Sequence, residues 1–151
     1  MKAKKKSNAK KKSYALHWFM AEPFGRVVVL VIGDYKGALK ECDKVFRPKN
    51  RNAHPFSEFV EEQLDDHPCK CSPDHCGRTI SNDVGDVFMW FPAFPTQGTL
   101  AHELFHAVTN VLNSAGVTDT NGETDAYLLG AMYDHFFAVL EEDKKMKRVA
   151  V

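Results

Sequence analysis

His102, Glu103 and His106 stand together in Ala101-His-Glu-Leu-Phe-His-Ala107, an HExxH pattern. On an α-helix, positions i and i+4 share one face. His102 and His106 can therefore aim two imidazoles at one ion, with Glu103 beside them and within reach of a water held there. These are the parts of a zinc-dependent hydrolase: the ion lowers the pKa of water to about 7, and a neighbouring carboxylate takes the proton as general base. Chance would place the pattern in roughly 2% of chains of this composition.

A catalytic zinc ordinarily takes three protein ligands and keeps one position for water. The third is expected from the next element, and Glu123, which opens the following predicted helix, fits that place. Asp125 and the more distant His135 are alternatives. Thr120-Asn-Gly-Glu123 also spells a capping box, in which Glu123 would bond the cap backbone. Beside an HExxH helix the ligand role is the stronger one, because the ion otherwise lacks a third protein ligand. Tyr127, one turn after Glu123 on the same face, is a candidate oxyanion donor, and a core position is its competing role. Zn2+ is the expected cofactor, although two histidines and a carboxylate also suit iron or cobalt.

The stretch AHELFHAVTN, residues 101–110, closely resembles the active-site helix of thermolysin-like gluzincins, a group of zincin metallopeptidases, and Ala107, Val108 and Thr109 match beyond the bare pattern. The resemblance covers roughly residues 84–140. It implies a minimal zincin-like domain that hydrolyses peptide bonds, with a glutamate on the next helix as third ligand. That role falls on Glu123, 17 residues after His106. Small phage and prophage proteins, mostly of unassigned function, share HExxHA followed by ExxAY, which Glu123, Ala126 and Tyr127 match. The segment 84–91 resembles the edge strand that holds peptide substrates in zincins. Two departures stand out. The family has an aspartate four residues after the ligand glutamate, orienting the first histidine, where this chain has Tyr127; Asn110 and Asp125 are then the candidate partners of His102. Few residues follow the second helix, so the cleft is expected to be shallow or completed by a partner.

The elements that must carry these residues can be read from the pattern. The run Arg26-VVVLVI-Gly33 predicts a buried strand. Apolar spacing predicts helices over 35–46 and from Phe56 to Leu64, the second begun by Pro55. Residues 78–80 suggest a short strand and 84–91 a stronger one. Thr99 is a plausible N-cap for the histidine helix and Gly116 its stop, and a second helix is expected from about 123 to 142. The fold class is α+β, a small sheet packed on helices, in a single domain over 13–151.

Composition narrows the function classes. The formal net charge of zero hides seven lysines within residues 2–12, against a body from Ser13 on that carries 13 basic and 20 acidic residues. The tail, 1–12, is expected to be disordered, and any contact it makes with nucleic acid or an acidic surface carries no specificity. Residues 14–21 are too short, and too interrupted by His17, for a signal segment, and 27–32 cannot span a bilayer. A cytoplasmic protein without membrane contact is the expectation. Cys69, Cys71 and Cys76 fall in a polar loop with His67 and His75; free thiols are the expected state, with a second zinc site or a disulfide as alternatives, and Cys42 belongs to a core face. The leading function is a small metallopeptidase acting on a peptide or protein. The alternative is a metal-binding or structural protein without turnover, and the presence of Glu103 favours catalysis.

Overall fold

The computed structural model describes residues 13–46, 55–65, 72–118 and 122–149. They form an α+β domain with a four-stranded mixed sheet and four helices. In chain order these are β1 (Tyr14–Ala21), β2 (Arg26–Gly33), α1 (Tyr35–Val45), α2 (Phe56–Asp65), a 3-10 turn at Pro73–His75, β3 (Arg78–Ser81), β4 (Val87–Phe91), α3 (Gln97–Ser114) and α4 (Glu123–Val149). The sheet order is β1-β2-β4-β3. β2 and β4 pair in parallel, whereas β1 and β3 flank them antiparallel. Among the described residues no helix is long and apolar enough to cross a membrane. The lysine-rich tail, the 47–54 connection, Thr120 of the capping box, Cys69 and Cys71 lie outside the described residues.

Strand periodicity builds two cores. Val28, Leu30 and Ile32 of β2, with Val87, Met89 and Phe91 of β4, face α3 and α4; Val29, Val31 and Phe88 face α1 and α2. A strand covered on both faces has no polar alternation, which is why β2 reads as an unbroken apolar run. β1 lacks the pattern for another reason. Its Ala15 and Phe19 pack toward one core and its Tyr14 and Leu16 toward the other, and the exposed positions further along that second face are the apolar Trp18 and Met20, so YALHWFMA lacks the alternation that marks a half-exposed strand. It is an edge strand in full antiparallel register with β2, from Tyr14 opposite Gly33 to Ala21 opposite Arg26.

Local chemistry sets the boundaries. Asp34 caps α1 by accepting from the Gly37 N–H at 3.3 Å. β4 begins at Val87 rather than 84, because Asn82, Gly85 and Asp86 close a tight β3–β4 connection: the Asn82 side chain accepts from the Asp86 N–H at 2.8 Å, and Gly85 takes a φ of +90°. Helix α3 starts three residues earlier than expected at its cap. Thr96, not Thr99, is the N-cap, and its hydroxyl accepts from the Thr99 N–H at 3.2 Å. At the other end Gly116, with φ +69°, lets its N–H reach the Asn113 carbonyl and the Val117 N–H reach that of Leu112, both close to 3.0 Å, so the expected stop is present. Thr96→Ala should cost about 1 kcal/mol of stability, read as a lower urea midpoint at unchanged slope.

Candidate metal centre

Helix α3 is held by one face. Leu100, Leu104, Ala107, Val108, Val111 and Leu112 are buried against the sheet. It packs over β3 and β4, while α4 packs over β1. That anchoring leaves His102 and His106 exposed and turns Glu103 toward β3.

The two imidazoles meet. Their Nε2 atoms are 3.1 Å apart, with ring planes at 87°. Two nitrogens bound at about 2.0–2.1 Å to one tetrahedral ion would stand about 3.3 Å apart. The observed separation is close to that value. To hold one ion, both Nε2 atoms would have to offer it their lone pairs, with the ring protons on Nδ1.

Glu103 is 7% exposed, the one buried charged residue among those described. The Thr79 hydroxyl lies 2.6 Å from its Oε2 and 3.1 Å from its carbonyl oxygen. Gly77 is pressed against it: a Cβ there would fall 2.5 Å from Glu103 Cγ and 2.9 Å from Oε1. A shallow cleft runs along this seam between α3 and the segment leading into β3, from His75 and Thr99 past His102 and Glu103 to His106 and Asn110. Sequence reading missed both Thr79 and Gly77. Residues 78–80 did read as a strand, but which strand lies against α3 is a property of the assembled sheet.

The remaining candidates separate. Asn110 lines the cleft beside His106. Glu123 is the first residue of α4 and is exposed. His106 lies eight residues before the end of α3, about 12 Å of helix. Among the described residues no group of three His, Cys, Asp or Glu side chains gathers for a metal, so neither Glu123 nor Asp125 joins the pair here. Tyr127 is 80% exposed and is not a core tyrosine. His135 is committed elsewhere: its Nε2–H donates to the Trp18 carbonyl at 3.0 Å and its ring packs on Phe19 of β1. The edge strand beside the histidine helix is β3; β4, the candidate from sequence, lies inside the sheet between β2 and β3.

Of the loop cysteines, Cys76 departs from the expected free thiol. Cys76 is buried and disulfide-bonded, a bond rare in reducing compartments. Cys42 is free. It sits in the α1–α2 core as expected, and burial pushes its thiol up to about 12.

No protein-family model, no curated protein and no solved structure matches this chain.

Proposed function

We propose that this chain is a zinc-dependent hydrolase, a small metallopeptidase in which His102 and His106 hold the ion and Glu103 acts as general base. The observation that carries the reading is the 3.1 Å separation of the two Nε2 atoms on an exposed helix face, with a buried carboxylate on the intervening residue. Zinc, when bound, supplies the Lewis acidity that readies water for attack near neutral pH. The chain's own groups do the rest. The histidines fix the ion through Nε2. Glu103 takes a proton onto its carboxylate and passes it to the leaving amine. Strand β3 is a sheet edge, the place where an extended peptide lying along the cleft adds as a further strand. Glu123 is the carboxylate proposed to complete the ligand set, and Tyr127 the proposed oxyanion donor.

A second reading, metal binding without turnover in a structural or interaction protein, is favoured by the lack of a third ligand at the pair among the described residues. Elemental analysis of the purified full chain tests the metal that both readings share. One zinc per chain is expected in wild type and in Glu103→Gln, and none in His106→Ala. Glu123→Gln should weaken binding and His135→Ala should leave it unchanged. A wild-type chain that takes up no zinc after reconstitution rules out both readings.

A further inference from the structure

We propose that Thr79 is the positioning residue that holds the Glu103 carboxylate for its work, a role that rests on reading Glu103 as the proton acceptor. Alternation along β3 sends Ile80 into the α1–α2 core and leaves Thr79 facing α3. Its hydroxyl carries a single proton and stands near two acceptors. The Oε2 contact is the shorter, 2.6 Å against 3.1 Å to the carbonyl, and lies at the short end of the hydroxyl–oxygen hydrogen-bond range. The proton therefore goes to Oε2.

That bond fixes the rotation of the carboxylate about its last torsion, which is otherwise broad. Oε1 is then the oxygen this bond does not engage, and it lies against Gly77, where a side chain would collide with it at 2.9 Å. β3 and the glycine just before it thus set Glu103 at two points: the Thr79 hydroxyl ties one oxygen, and the missing Cβ of Gly77 leaves room for the other. The histidines need no such device, because helix pitch alone brings them together. A buried carboxylate on an exposed helix flank does need one, since loss of its partner leaves it desolvated and unpaired.

The test uses the full chain as wild type, Thr79→Val, Thr79→Ser and Glu103→Ala. Zinc affinity, read by competition with a chromogenic chelator, should stay within about threefold of wild type in both Thr79 variants, since neither touches an imidazole. Peptide turnover should fall about 10- to 100-fold in kcat in Thr79→Val, at little change in KM, and return to within about threefold of wild type in Thr79→Ser. Full turnover in Thr79→Val, or a Thr79→Ser no better than Thr79→Val, overturns the proposal.

A second readout does not depend on activity. In zinc-free protein, Thr79→Val should lower the folding constant about tenfold more in the wild-type background than in Glu103→Ala. Equal effects in the two backgrounds overturn the role of Thr79. A coupled cycle in a chain that turns over no peptide keeps the Thr79–Glu103 contact and removes the hydrolase reading instead.

Discussion

Glu103→Gln should retain its zinc and lose about 10²- to 10⁴-fold in turnover, the span that a positioned general base contributes. The substitution is close to isosteric, which matters at a residue packed against Gly77 and only 7% exposed. The amide carbonyl can still accept from the Thr79 hydroxyl, so the grip from β3 survives. The imidazoles are untouched, so the ion should stay. What disappears is the ability to take a proton. The loss should therefore fall on kcat and leave KM nearly constant, the signature of an interaction made in the transition state rather than in the ground state. Zinc content and peptide hydrolysis must be measured on the same preparation. A Glu103→Gln chain that loses zinc has had a carboxylate engaged in holding the ion. One that keeps zinc and hydrolyses at the wild-type rate would falsify the role of Glu103 as base.

The imidazole pair was legible in the sequence because its geometry is local. Helix pitch puts i and i+4 on one face, and no other element has to be known. The apolar run 26–33 and the helix over 35–46 were legible for a similar reason, the first from an unbroken β-branched stretch and the second from the spacing of Ala38, Leu39 and Cys42. What the sequence hid depends on assembly. Thr79 meets Glu103 only because β3 pairs with β4 in the register that sets Ile80 opposite Phe88, and because β4 lies inside the sheet. A one-residue slip would turn Thr79 to the other face. β1 was hidden because apolar side chains stand on both its faces, the exposed Trp18 and Met20 among them, and the sheet edge was assigned to the wrong strand because strand order is not written in strand composition. The position of Glu123 follows from the path of the chain after Gly116, and a count of residues between His106 and Glu123 does not determine that path.

Phe136→Ala should remove about 3–5 kcal/mol of stability, a large share of the roughly 5–15 kcal/mol that holds an ordinary domain together. Phe136 is fully buried, in the core that also contains Leu104 and Ala107 of the histidine helix. Its ring stands 6.3 Å from that of Phe19 on β1 and 5.2 Å from that of His135. It thus ties α4 to the β1 edge alongside the His17–Asp143 contact at 2.7 Å. Truncation forfeits the transfer energy of the ring and opens a cavity that a sheet and two helices cannot collapse around. For a domain of this size the melting temperature should drop by roughly 6–20 °C. Phe105→Ala is the matched control. That ring is 54% exposed beside His106, so its loss should change stability by no more than about 0.5 kcal/mol. Thermal and urea unfolding followed by circular dichroism on the two variants reads the difference directly. Equal losses at Phe136 and Phe105 would mean that α4 is not packed on the sheet as described, and the α4-borne candidates Glu123 and Tyr127 would then have to be placed anew.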